Sequence, residues 1–357
     1  MKINKFLTIF LFILVLLSAS EKSNTGGREV LFGVQLNGKH GYIDKTGKTV
    51  INPRFDMARH FSEGLAAINI GAKRVNHTYG GGKWGYIDED GKIVIRPRFD
   101  DASDFSEGLA RVKIGNKCSY INKKGEIVIN TDALHAGNFS DGLALVWVTG
   151  GCGFINRKGK LISPMSDRNA GECSEGLAAI IVENKWGFID TMGTVVIEPK
   201  FNDVLRFSEG IAAVKIGDKW GYIDRTGKMR IDPQFDRATS FSEGLAAVNI
   251  GAKLVNVVGY TGGKWGYIDK EGRMVIPPQF ENSGDFHQGL ARLKVGGYKG
   301  KWGYIDKTGK VIISPQFDLA MDFFEGLAVV GFGDKLKFED IYGYIDSTGK
   351  FVWPPTK

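Results

Sequence analysis

The chain has 357 residues, a formal net charge of +7 and 43% hydrophobic residues, enough apolar side chain to bury a core and too much for a disordered polyelectrolyte. Its lysines and arginines are scattered, with no basic run and no basic helix, so the charge is not the footprint of a nucleic-acid binder. Three cysteines are too few for a disulfide scaffold, and an odd number leaves at least one unpaired within a monomer.

Lys2 and Lys5 precede an apolar run from Phe6 to Leu17, then Ser18-Ala19-Ser20 and Glu21. A positive start, an apolar stretch of about a dozen residues and small residues at the −3 and −1 positions predict a signal peptide over 1–20, cleaved after Ser20. The run falls short of the ~20 residues of a membrane span. Once it is removed the charge drops to +5, and no span remains. Residues 21–29 read as a flexible segment.

From residue 30 to 357 the dominant signal is self-similarity. The motif G-[YF]-I-[DN]-x-x-G begins at Gly41, Gly85, Gly153, Gly187, Gly221, Gly266, Gly303 and Gly343, and Ser119 takes its first position in one further copy. That makes nine copies on a base spacing of 34 residues. The two largest excesses, residues 72–82 and 252–262, fall at the same point of the repeat, which marks a surface loop on one side of the array.

Within a copy the pattern predicts three strands. In residues 210–235, strand A spans 211–216, Gly217-Asp218 makes a two-residue hairpin turn, and strand B spans 219–224. Asp224 to Gly227 makes a second turn, and strand C ends at Ile231 because Pro233 cannot donate to a ladder. Strand C is apolar at consecutive positions, as in Val195-Val196-Ile197, and is expected to be covered on both faces. The fold class is therefore all-β: nine three-stranded antiparallel meanders stacked face to face. The array is either an open superhelix or a propeller-like ring. Nine copies exceed the usual four to eight propeller blades, and the array starts at a strand A and ends at a strand C, so no strand exchange can close a ring. The open form is the favoured expectation.

The motifs "KWGYID" (83–88, 219–224, 264–269, 301–306), "DKTGK" and "FSEGLA" resemble those of the WG-repeat family, also called KWG repeats, of exported bacterial proteins. The resemblance covers essentially everything after residue 30. Copies 1, 3, 4 and 9 depart at the Trp position, with His40, Cys118, Cys152 and Tyr342. It implies an all-β repeat in the bacterial envelope, whether periplasmic, at the outer surface or secreted, and it brings no catalytic residues.

The D-x-x-G carboxylates alternate with Asn122 and Asn156, which keep a turn cap and lose the charge; capping is the expected role. The S-E-G glutamates recur too often for a general acid and read as a repeated scaffold contact. The pairs Trp84/Tyr86, Trp220/Tyr222, Trp265/Tyr267 and Trp302/Tyr304 lie two residues apart, hence on one sheet face. They are the candidate binding residues for a glycan or cell-wall ligand; the competing role is inter-repeat core. The five histidines show no metal-ligand spacing, and no nucleophile, phosphate-loop or dinucleotide motif is present. The expected function is a non-enzymatic scaffold with no cofactor and no metal, binding a protein partner, with glycan binding as the alternative. Cys118 and Cys152 hold equivalent positions one repeat apart. Stacked meanders place such positions ~10 Å apart, too far for a disulfide.

Overall fold

A computed structural model describes residues 30–75, 78–163, 171, 173–254, 260–333 and 341–355. The expected signal peptide and flexible segment, residues 1–29, lie outside the described residues. The rest is nine small antiparallel sheets arranged in a ring, a nine-bladed β-propeller. Among the described residues no helix is long and apolar enough to cross a membrane.

The predicted meander is present in its expected register. In blade 6, strand A is Ile211–Ile216 and strand B is Lys219–Asp224, joined by a turn whose Gly217 has φ 58°. The long segments of blades 2 and 7 are extended A–B hairpins. Leu65–Val75 pairs with Thr78–Ile87, and Ala246–Leu254 pairs with Tyr260–Ile268.

Three features depart from expectation. First, most blades carry a fourth strand of two residues, such as Asp101–Ala102 or Asp203–Val204, on the other side of strand A. It comes from the segment that links successive copies. Second, strand C runs on through its proline. In blade 6 it is Met229–Phe235, with Phe235 opposite Trp220. Strand C is an edge strand, so Pro233 has no ladder partner on its far side to donate to. Third, strand C is not covered on both faces. Val195, Val196, Val311 and Ile312 are exposed, and only the third residue of each such run, Ile197 or Ile313, is buried. Their β-branched character suits a strand without requiring burial.

The short strands form the inner edges of the blades and the C strands the outer rim. Asp104 of blade 3 is close enough to Tyr42 of blade 1, and Asp285 of blade 8 to Tyr222 of blade 6, to act on them across one intervening blade. Such reach fits the place where blades converge.

The core lies between blades, not within them. Nine buried clusters correspond to nine interfaces. At most of them the aromatic face of strand B in one blade meets the Ala/Val/Ile face of the next; Trp84, Tyr86 and Ile95 pack on Ala110, Val112 and Ile121. The turn glycine of D-x-x-G presses on the preceding blade. A Cβ at Gly91, where φ is 78°, would lie 3.2 Å from Ile51 Cγ2.

Of the two arrangements read from the sequence, the ring is the one adopted, and it closes without exchanging a strand. Blade 9 presents Leu327, Tyr344 and Trp353 to Phe32, Val34 and Ile43 of blade 1. The Tyr344 hydroxyl donates to the Gly33 carbonyl at 2.7 Å, and its ring meets Phe32 edge-on at 5.6 Å. Phe32 stands where the other eight blades have alanine, such as Ala66, Ala110 or Ala212. Its larger ring fills the seam where elsewhere the linker phenylalanine enters. Phe32→Ala should therefore cost ~3–5 kcal/mol, although alanine is native at the matching position of every other blade. Chemical denaturation checks the magnitude, and hydrogen exchange should show blades 1 and 9 losing protection ahead of the rest.

Candidate functional site

Each motif residue singled out in the sequence can be placed by what it touches. Trp84, Trp220 and Trp265 are buried and Trp302 is half-buried, while Tyr86, Tyr222, Tyr267 and Tyr304 are all fully enclosed. Each Trp/Tyr pair shares one face, and that face is packed against the next blade. An arginine of the same blade covers several of the indoles: Arg59 over Trp84 at 5.1 Å, Arg237 over Trp265 at 5.1 Å and Arg292 over Trp302 at 5.4 Å. These rings are occupied by the scaffold.

The tyrosines lock one blade to the next. Each hydroxyl donates to a carbonyl 17 residues on, in the next blade's linker: Tyr86 to Ser103 at 2.8 Å, Tyr267 to Gly284 at 2.7 Å and Tyr304 to Met321 at 2.7 Å. Each ring also meets a linker phenylalanine at 4.7–5.0 Å, as Tyr222 meets Phe241 and Tyr120 meets Phe139. Burial pushes these phenols well above their usual range, so they remain neutral donors.

The S-E-G acids bridge blades on one face of the ring. Glu107 accepts from the Gly142 amide at 3.1 Å and binds Arg157 of the next blade's turn at 3.2 Å. Glu63, Asp141, Glu175, Glu209, Glu243 and Gln288 accept in the same way from Gly108, Gly176, Gly210, Gly244, Gly289 and Gly326. All of them are left-handed, with φ 48–56° together with Glu325. That backbone costs a non-glycine residue about 1–2 kcal/mol, a strain the charged contact offsets. The D-x-x-G residues cap their own turns: Asp44 Oδ1 accepts from Thr46 N and Lys48 N, and Asn122 Oδ1 from Lys124 N and Glu126 N. The expected scaffold roles of both motifs are what the geometry shows.

A further bracket escaped the sequence reading. On the opposite face, the lysine before Trp reaches the acid that follows Pro-x-Phe: Lys83 to Asp100 at 2.6 Å and Lys301 to Asp318 at 2.6 Å. The same acid then accepts from the next blade's hairpin turn, as Asp100 does from Gly115 N at 2.7 Å. The signal was the recurring spacing of 17 residues between that lysine and that acid, shortened to 15 between Lys117 and Asp132.

The three cysteines are buried thiols, none of them in a disulfide. Cys152 lies directly opposite Trp147 in the ladder, so in blade 4 the indole has moved from strand B to strand A. Cys118 is bonded through its amide to Ala133, where Trp84 faces Phe99, so blade 3 has reduced both partners together. Burial, with Asp141 and Glu107 nearby, pushes the Cys173 thiol up to about 12, which keeps it unreactive. Among the described residues no group of three His, Cys, Asp or Glu side chains is placed to hold a metal ion.

A family model described as "WG containing repeat" matches residues 41–73, 84–118, 153–186, 186–220, 220–253, 265–298 and 302–335. No curated protein sequence matches the chain. Among solved structures, a eukaryotic initiation factor is similar over 91% of this chain and 95% of its own, at 13% identity and a TM-score of 0.62. That likeness concerns the fold alone. A puromycin hydrolase aligns with 89% of this chain and 57% of its own, at 12% identity and a TM-score of 0.36. A tricorn protease aligns with 87% of this chain and 45% of its own, at 12% identity and a TM-score of 0.28. This chain thus spans about half the length of those two.

Two outcomes follow from the packing. Trp220→Ala should destabilise by ~3–5 kcal/mol, since the side chain is buried at an interface, and no sugar should restore the loss; thermal unfolding with and without muropeptides checks both. His40, in the Trp position of blade 1, is held at about 4 by burial, with Asp56 opposing. The unfolded chain therefore binds the proton first. His40 supports stability fully above about pH 6.5 and loses that support as the pH falls toward 4. His40→Trp should flatten this part of the stability–pH curve, read from unfolding midpoints of both proteins between pH 7 and 4.

Proposed function

The chain belongs to the family of WG-containing repeats, and on that footing we propose that it is a non-enzymatic scaffold for protein–protein interaction, exported to the bacterial envelope. A repeat propeller is an architecture consistent with protein binding. One observation carries the reading. The recurring Trp, Tyr, Asp and Glu residues, which would be the chemistry of a repeated ligand site, bond to the adjoining blade or to their own turn instead. What varies from copy to copy is the inner edge and the A–B hairpins, the parts free to meet a partner. Export rests on the start of the sequence, where two lysines, an apolar run and Ser-Ala-Ser stand in signal-peptide order.

Glycan binding through the Trp/Tyr pairs would require rings open to a ligand, and these are enclosed, except that Trp302 is half-buried beneath Arg292. Photo-crosslinkers at the A–B turn of blade 6 (Asp218) and at the outer rim (Val196) separate the readings. In native envelope extract the turn position should give discrete protein adducts that the rim position lacks. Retention on cell-wall glycan that muropeptides compete away, with no protein adduct, would overturn the proposal.

A further inference from the structure

Eight blades carry a short strand on the inner side of strand A. Among the described residues blade 1 has none; its sheet is Phe32–Leu36, Lys39–Ile43 and Thr49–Phe55 alone. Leu36 and Val34 exchange bonds with Lys39 and Gly41 across the two-residue turn, so Gly33 and Gln35 point their N–H and C=O groups the other way, toward the inside of the ring. Gln35 is exposed, whereas its counterparts Lys113 and Lys215 are half-buried and Asn69 and Asn249 are buried. A Cβ at Gly33 would meet nothing within 4 Å. An edge of this kind is a template for another strand.

The other blades show what the edge takes. The carbonyl matching Gln35 accepts from the amide of the residue after Pro-x-Phe, as from Asp100 N to Lys113 O at 2.8 Å and from Asp236 N to Asn249 O at 3.0 Å. The side chain of that residue accepts in turn from the hairpin amide 15 positions on: Asp236 from Gly251 at 2.7 Å, Glu281 from Gly296 at 3.0 Å and Asp318 from Gly333 at 3.1 Å. Two positions after the acid comes a small apolar residue, Ala102 opposite Val112 or Ala320 opposite Val330.

Blade 1 keeps the receiving groups, the Asn37 amide and Val34, but its own sequence lacks the matching donors. Lys22 stands 15 residues before Asn37, where the acid belongs, and Asn24 stands where alanine belongs. The remaining linker contacts are already made. The Gly33 carbonyl, whose counterpart at Arg111 accepts from Ser103 N at 2.8 Å, accepts here from the Tyr344 hydroxyl at 2.7 Å, and Phe32 meets that ring in place of a linker phenylalanine. What stays open is the stretch from Val34 to Asn37.

We propose that this inner edge of blade 1 is a strand-addition site for an extended segment of a partner protein with the pattern acid–x–small apolar. The segment pairs with Gln35, sets its small residue opposite Val34, and its carboxylate accepts from the Asn37 amide. Main-chain bonds give such additions their affinity and the side-chain positions give selectivity. The net charge of +7 also favours an acidic partner. The inference rests on the scaffold reading above and names the chemistry of its partner.

Fluorescence anisotropy tests it on the full chain, with a labelled peptide copying residues 98–104, which holds the acid–x–alanine pattern of blade 3. The chain should bind this peptide at least about tenfold more tightly than one with lysine in place of its first aspartate. Gln35→Pro removes an inward N–H and leaves the A–B ladder intact, so it should weaken binding at least about tenfold with the unfolding midpoint unchanged, while Gln35→Ala should bind as the native chain does. A peptide N-methylated at its first aspartate probes the same pairing without altering the chain and should bind at least about tenfold more weakly. Binding indifferent to both the proline and the N-methyl group would overturn the proposal. So would strong hydrogen-exchange protection of the Gln35 amide in the peptide-free chain, which would show that the chain's own leading residues hold the edge. If the peptide fails to bind while crosslinks at Asp218 persist, this site falls and the scaffold reading stands.

Discussion

Everything in this molecule hangs on a ring of tyrosine locks between blades. One strand B tyrosine supplies an apolar face to the interface, an edge to the linker phenylalanine and a hydroxyl to the next linker's carbonyl. That bond satisfies a backbone group that would otherwise be enclosed unpaired. Where the residue is Phe188 the hydroxyl is missing but the edge-on contact with Phe207 at 4.9 Å persists, and where it is Phe154 the linker phenylalanine is itself replaced by Cys173, which packs in the same cluster. The packing is thus the constant part of the lock and the hydrogen bond its refinement. A lone blade would have both faces bare, so the blades form only together.

Around the tyrosines, two polar brackets fix the angle between blades from opposite faces of the ring. The S-E-G acid reaches forward to a glycine amide on one face, and the lysine–acid pair clasps the next hairpin turn on the other. The lysines of these pairs are exposed, so as ion pairs they contribute little; the use of the acids is geometric, holding a turn in place through backbone amides. Because most steps repeat the same kinds of contact on the same apolar interface, the rotation from blade to blade repeats, and nine steps bring the last blade onto the first. The seam then needs no shared strand, only a face that fits. Phe32 supplies it by enlarging one alanine position.

This economy leaves little of the motif for binding. The residues that make the repeat recognisable are those the interfaces consume, and the residues free to differ lie at the inner edge and at the hairpins. Blades 3 and 4 show how much the core tolerates. Cys118 with Ala133, and Cys152 with Trp147, each rearrange the same slot and keep it buried. Variation inside the interface conserves packing, whereas variation at the inner edge changes charge, from His60 and Arg206 to Asp104 and Asp285.

The sequence by itself determined the repeat, its nine copies, the A, B and C strands and both turns, because these follow from local chemistry: alternation, glycines with positive φ and aspartates that cap. It also determined that the S-E-G and D-x-x-G residues belong to the scaffold, since Gln288, Asn122 and Asn156 keep the hydrogen bonding and lose the charge, and Asp141 keeps both on a shorter side chain. Only the tertiary structure decided the rest. The fourth strand is two residues long and exists only by pairing with strand A, so no periodicity announces it. The exposure of Val195 and Val196 depends on standing at the outer rim, which their β-branched character does not reveal. Closure depends on an angle accumulated over nine interfaces, to which each local pattern contributes only its own step. That Asp104 Oδ1 meets no donor depends on Asp101 having already taken Arg111 and Arg59, a matter of three-dimensional position that spacing along the chain does not carry.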